Sequence, residues 1–248
     1  MKKLLALILI TITVFTASCK TTTGAAKFEN KTDKQLYEEG MKSAKHSRYQ
    51  AAVNRFEALD ALYPFSPYTE RAQLQIMYAY YRSEDWASTV AAADRFIHLY
   101  PRGQHVDYAY YLKGISSMKR NRTWVYRFFP VSASNRDLSG LKEAFNDFSQ
   151  LIYVYPNSQY AEDARKRMIY IRDILAHHEM NIAEFYFDRK AYVASANRAS
   201  HVVRHFEGSR FVKDALRLMV KSYAKLGNKD LENDARKVFK NTFPKSTI

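Results

Sequence analysis

The 248-residue sequence holds a single cysteine, Cys19, so no internal disulfide can staple the fold. Glycine and proline are scarce, at 7 and 6 residues, and the intervals between them run with helical period. Together these features predict an all-α fold. No glycine-rich phosphate loop is present, and the scattered serines lack a recognisable nucleophile setting. After the first eighteen residues, no apolar run reaches the ~20 residues that span a bilayer.

The N-terminus differs from everything that follows. Lys2 and Lys3 precede an apolar run from Leu4 to Phe15, then the small residues Thr16, Ala17 and Ser18, with Cys19 directly after them. A basic start, a short apolar run and a small-residue zone make an export signal over residues 1–18. The stretch resembles a bacterial lipoprotein signal, in which the cysteine becomes the lipid-bearing N-terminus; Thr16 stands where such signals usually carry Leu. Residues 19–31 are small and polar and read as a flexible tether. The formal charge of +14 would suit a nucleic-acid partner, but an exported lipoprotein meets none, and Lys and Arg are spread rather than blocked. They suit solvated helix faces, with some meeting acidic partners or lipid headgroups. The 19 tyrosines add apolar bodies with polar tips, useful at wet interfaces.

The sequence then repeats itself. "ALYPFSPYTERAQ", "HLYPRGQHVDYAY" and "YVYPNSQYAEDAR" each place Tyr-Pro before a polar run, with an alanine eight residues after the proline (Ala72, Ala109, Ala164). Before Pro64, Gly40, Ala52 and Phe56 stand at the Gly, Ala and Phe places of the tetratricopeptide (TPR) pattern, although Glu39 and Ser43 replace its usual Leu and Tyr. Small residues let two helices of a hairpin approach; Phe56 fills their seam. The frame recurs through Phe96 and Leu99, through Ala144, Phe148 and Leu151, and through Ser195, Ala199 and Val202, where Phe206-Glu207 replaces Tyr-Pro. It closes with Tyr223, a Gly227 helix stop, Phe239 and Phe243-Pro244. Marker positions 64, 101, 156, 207 and 244 lie 37, 55, 51 and 37 residues apart, so the two middle repeats carry insertions of 18 and 14 residues. Each phrase ends one helical hairpin and starts the next, with proline stopping one helix and Ser66 or Ser158 able to cap the following one. The expected architecture is a right-handed superhelix of about five TPR-like hairpins, because no hairpin buries its own apolar face. Repeats 1–3 occupy residues 32–120, an insertion 121–138, and the remaining repeats 139–248.

Catalytic chemistry finds no support. His201 and His205 are spaced i, i+4, but no Glu follows the first, and the adjacent His177 and His178 diverge on a helix. Packing or surface roles fit them better than metal binding, and no cofactor motif occurs. The first helix of each hairpin should line a concave groove, where the frame places Tyr37, Met41 and Lys45, then Arg71, Tyr78 and Arg82, then Tyr108, Tyr111 and Lys119. An aromatic channel with a basic rim suits an extended segment carrying aromatic side chains and a carboxylate. Packing of several of these tyrosines between repeats is the competing expectation. The insertion "KRNRTWVYRFFPVSASNRD" interleaves basic and aromatic residues and could meet a partner, the bilayer interface or the groove, or fold down over repeat three.

The runs "EALDALYPFSPYTERAQLQIMYAYY", "DRFIHLYP", "FNDFSQLIYVYPNSQYAEDARKR" and "AEFYFDRKAYVASANR" resemble the BamD family of TPR lipoproteins of the β-barrel assembly machinery. The resemblance covers roughly residues 32–244. It implies a non-catalytic lipoprotein of the outer membrane, facing the periplasm, that helps fold and insert β-barrel proteins. The implied partners are a BamA-like barrel subunit, met through its POTRA domains, accessory Bam lipoproteins and unfolded outer-membrane proteins. Lys20 after the anchor cysteine is compatible with outer-membrane export. The family's Asn-Arg pair at the BamA contact falls on Asn197 and Arg198, and the N-terminal repeats would receive the C-terminal segment of an unfolded barrel. A pilotin-like factor for secretin assembly shares anchor and fold, but should lack the repeat-three insertion and the Tyr-Pro-Phe-x-Pro-Tyr phrase.

Overall fold

The computed structural model describes residues 24–120 and 137–247. Cys19 and the body of the insertion, 121–136, lie outside the described residues. Among those described there are ten α-helices and no strand, in two compact units that divide between Ser83 and Glu84. The first holds a 3₁₀ turn (Gly24–Phe28), α1 (Asp33–Lys45), α2 (Tyr49–Leu62) and α3 (Thr69–Arg82). The second holds α4 (Trp86–Leu99), α5 (Val106–Arg120), α6 (Ser139–Val154), α7 (Ala161–Asp188), α8 (Tyr192–His205), α9 (Val212–Lys225) and α10 (Lys229–Thr242). Within each unit every helix packs against its neighbours in the chain, as TPR-like hairpins do.

Small-against-large packing draws the hairpins together. A Cβ at Gly40 would lie 2.5 Å from Phe56 Cε1, and one at Gly114 would lie 2.6 Å from Phe148 Cε1. Both rings are fully buried. Tyr37 and Tyr68 complete the first packing group, and Tyr111 and Tyr160 complete the second in the same way. In the second unit Lys113 of α5 bridges two helices, its ammonium 2.7 Å from Asp94 on α4 and 3.0 Å from Asp147 on α6. Burial pushes the Asp147 carboxyl up. It also opposes the Lys113 charge, but hydrogen bonds to the two carboxylates outweigh it and raise the lysine's pKa.

The turns between hairpins use a device the sequence reading missed. Ser66 and Ser158 do not cap the following helices, whose N-caps, Tyr68 and Tyr160, make no side-chain capping bond. Each serine hydroxyl instead donates back to an aspartate of an earlier helix: Ser66 to Asp33 (2.7 Å), Ser158 to Asp107 (2.6 Å) and Ser209 to Asp173 (2.8 Å). The same oxygens accept the amides of Tyr68, Tyr160 and Phe211. Phe206-Glu207 supports the same turn as Tyr-Pro. The Ser209 amide reaches Phe206 O at 3.0 Å, as Ser66 reaches Tyr63 O. Gly208, at φ +73°, accepts Arg172 Nη2 at 2.8 Å.

Ser47, Glu84, Lys190 and Gly227 fall at one place of the sequence frame, just past a helix end. All four adopt φ between 57° and 71°. Ser47, Lys190 and Gly227 close Schellman turns: the Ser47 amide bonds Ala44 O and the Arg48 amide bonds Ser43 O, with the same pattern at the other two.

Two expected boundaries shift. The second half of the 19–31 tether is structured rather than flexible. Gly24–Phe28 form the 3₁₀ turn, the Arg55 guanidinium lies over the Phe28 ring, and Tyr63 donates to Lys31 O at 2.8 Å. Lys31 also pairs with Glu39, so a short polar segment is fixed by groups 8 to 32 residues away. The expected insertion 121–138 ends earlier, because Asp137 Oδ1 accepts the Ser139 amide and Leu138 is buried at the start of α6. The 14-residue excess of the fourth repeat is helical and lengthens α7 to 28 residues.

Candidate functional site

The groove residues of the first unit sit on two helix stripes. Tyr37, Met41 and Lys45 follow i, i+4, i+8 along α1; Arg71, Gln75, Tyr78 and Arg82 follow i, i+4, i+7, i+11 along α3. The stripes line a common cavity only at their C-terminal ends. This cavity, of about 720 Å³, brings together Met41, Lys45, Tyr78 and Arg82 with Tyr49 and Gln75. The Arg82 guanidinium stands 5.7 Å from the ring centres of both Tyr49 and Tyr78, and its Nη1 donates to the Tyr78 hydroxyl at 2.8 Å. That bond raises the arginine's pKa further, and the group is charged at any working pH. Lys42 and His46 add basic groups to the rim. Aromatic faces, a thioether and a guanidinium with unused donors can hold an aromatic side chain beside a carboxylate.

The other expected groove residues are elsewhere. Tyr37 stacks on Tyr68 at 5.1 Å and leans on Phe56. Arg71 is exposed in the first turn of α3, outside the cavity lining. In the second unit Tyr111 stacks on Tyr160 at 4.7 Å and donates to Asp163 at 2.7 Å. Burial and that carboxylate push its pKa up to about 12. Tyr108 also packs on Tyr160, and the Lys119 ammonium lies 4.4 Å from the Trp86 ring centre. Tyr37, Tyr108 and Tyr111 thus each pack against a second aromatic in the adjoining turn while staying half-buried. Tyr49 was missed for the opposite reason. It starts the second helix of its hairpin, where the frame assigns no groove residue, and no sequence signal marks it.

Asn197 and Arg198 are both exposed on α8. Arg198 Nη1 is 3.0 Å from Glu179 Oε2 of α7, so the guanidinium is already held by one bond. His201 and His205 pack with ring centres 4.4 Å apart, and His177 stacks on Phe211 at 4.7 Å. Among the described residues no group of three or more His, Cys, Asp or Glu side chains is placed to hold a metal, and no helix is long and apolar enough to cross a membrane.

Residues 29–238 match the YfiO family, described as an outer membrane lipoprotein. The sequence is similar to outer membrane protein assembly factor BamD of Xylella fastidiosa strain Temecula1, 36% identical over 97% of this chain and 82% of that one. The chain belongs to the BamD family. It is also 35% identical to the BamD of Neisseria meningitidis serogroup A over 86% of this chain and 79% of the relative, and 32% identical to that of Haemophilus influenzae over 96% and 90%. Matches of this extent reach both units. They span the α1–α3 cavity and Arg198 as well as the hairpins that carry them.

Proposed function

We propose that this BamD-family protein works by binding, not catalysis, and that the α1–α3 cavity receives an extended segment of an unfolded outer-membrane barrel protein. In this reading Cys19 carries the lipid that anchors the chain in the outer membrane, facing the periplasm. Asn197 and Arg198 meet a POTRA domain of a BamA-like barrel subunit, and accessory Bam lipoproteins join the assembly. The observation that carries the client reading is Arg82, set between Tyr49 and Tyr78 and facing the same cavity as Met41 and Lys45. An aromatic client side chain would lie on the tyrosine faces while its carboxylate takes the free side of the guanidinium. Arg198 spends one donor on Glu179 and would offer the rest of its fork to a partner carboxylate.

The test is fluorescence anisotropy with a labelled C-terminal peptide of a barrel client. An aromatic contact contributes about 0.5–1.5 kcal/mol beyond burial and a charge-assisted hydrogen bond about 1.5–3. Tyr78→Ala with Arg82→Glu should weaken peptide binding roughly thirtyfold or more, while Arg198→Glu leaves it unchanged. Both variants must keep their helical signal and melting temperature. Wild-type affinity in the folded double variant would refute the assignment.

A further inference from the structure

The turn between α2 and α3 differs from the later repeats of the same phrase in what it shows to solvent. Its tip is Pro64-Phe65-Ser66-Pro67, and its one polar side chain, Ser66, is turned inward onto Asp33 at 2.7 Å. Pro64, Phe65 and Pro67 are exposed, and Phe65, at 99%, is the most exposed large apolar residue among those described. In the next two repeats the places of Phe65 and Pro67 carry Arg102 and Gln104, then Asn157 and Gln159, and no later repeat has an apolar side chain at either. The turn therefore does not need an aromatic there, and a fully solvated phenyl ring adds nothing to the core.

The tip is also poor in free donors. Pro64 and Pro67 have no amide N–H, the Ser66 amide is held by Tyr63 O at 3.0 Å, and the Tyr68 amide by Ser66 Oγ at 3.1 Å. An apolar corner whose backbone is bonded within itself leaves water at little cost, as the bilayer interface requires.

Its place in the first unit says what it meets. The Tyr63 hydroxyl donates to Lys31 O at 2.8 Å and Ser66 donates to Asp33, while the Lys31 amide holds Phe28 O at 2.9 Å. The tip is thus pinned to the segment that leads back through the 3₁₀ turn toward Cys19. Cys19 lies five positions before Gly24, about 18 Å of fully extended chain at most. A lipid on Cys19 keeps this corner within reach of the headgroups.

We propose that Phe65 inserts into the headgroup region of the bilayer that holds the lipid, and so fixes how the first unit faces the membrane. The proposal rests on the reading that Cys19 is lipidated, and it adds a second, orienting contact. A lipid alone holds a chain at the membrane without setting its orientation. A ring on a turn stiffened by two prolines and two cross-chain hydrogen bonds sets it.

The experiment uses the lipidated full chain in vesicles of phosphatidylethanolamine and phosphatidylglycerol, with and without brominated acyl chains. The lipid occupies the Cys19 sulfur, so Phe65→Cys provides the one free thiol for a bimane label. Emission from this label should fall about twofold or more in the brominated vesicles. A label on Gln50→Cys, exposed at the other end of α2, should be unaffected and is the control. Both labelled chains must keep the wild-type melting temperature. An unquenched label at position 65, in chains whose mass carries the acyl groups, would overturn the proposal, and so would equal quenching at both positions. If the mass of the purified chain lacks the acyl groups, the Cys19 reading falls and takes the orienting contact with it. Phe65→Asp that loses binding to the periplasmic region of the barrel subunit, with the label at position 65 unquenched, would reassign the tip to a protein partner and overturn the proposal.

Discussion

Replacing Gly40 by alanine separates two opposed effects. In an exposed helix the change would be stabilising by about 1 kcal/mol, from propensity alone. Here the new methyl would meet three atoms of one ring, Cε1, Cζ and Cδ1 of Phe56, at 2.5, 2.7 and 2.9 Å. Phe56 is fully buried, with Tyr37 leaning on it at 5.9 Å, so the ring has no open side to move into. The cost therefore belongs at the upper end of the ~1–3 kcal/mol seen for overpacked cores. Subtracting the propensity gain leaves a net loss of about 2 kcal/mol. Urea unfolding followed by far-UV circular dichroism should show a lower midpoint with an unchanged slope. Phe56→Leu alone should also destabilise, by leaving a cavity. Combined with Gly40→Ala it should destabilise less than the sum of the two, because the methyl takes space the ring gave up. A midpoint that rises on Gly40→Ala would mean that propensity, not close approach, governs this position, and the packing argument would fail.

Lys190→Gly should stabilise by about 1 kcal/mol, since lysine at φ 61° bears the left-handed penalty that glycine escapes; an unchanged melting temperature would refute it. Lys113→Met should cost about 3–5 kcal/mol by leaving Asp147 buried without its cation. Adding Asp147→Asn should recover part of that loss, and both are read by thermal melts. Tyr111 has a folded pKa raised from 10.0 to about 12, so between those values the folded chain binds more protons than the unfolded one. Stability should therefore fall as pH rises from about 10 to 12, and Tyr111→Phe should flatten that part of the pH profile.

Much of this molecule can be read from its spacing. Gly40, Ala52 and Phe56 predicted a tight hairpin, and they make one, because a packing frame is a local pattern with few solutions. Helix ends at Tyr63, Tyr100 and Tyr155 were legible for the same reason. The surroundings of Tyr37 and Tyr78 were only half legible. Tyr37 and Tyr78 carry the same side chain on corresponding helices, yet Tyr37 is stacked by Tyr68 while Tyr78 faces a cavity, and that difference lies in neighbours far along the chain. The serine–aspartate links join residues 33 to 51 apart and leave no periodic trace. The left-handed positions escaped notice because only Gly227 of the four carries the residue that advertises such a turn.

The length of α7 has a mechanical consequence. At 1.5 Å per residue its 28 residues make a rod about 42 Å long. Its sequence has no proline or glycine at which to kink. One end packs on α6 and the other on α8, so two hairpins share one beam where a repeat protein would ordinarily have a joint. Glu179, which holds Arg198, and Asp163, which holds Tyr111, are therefore spaced by about 24 Å of one uninterrupted helix, with no loop between them.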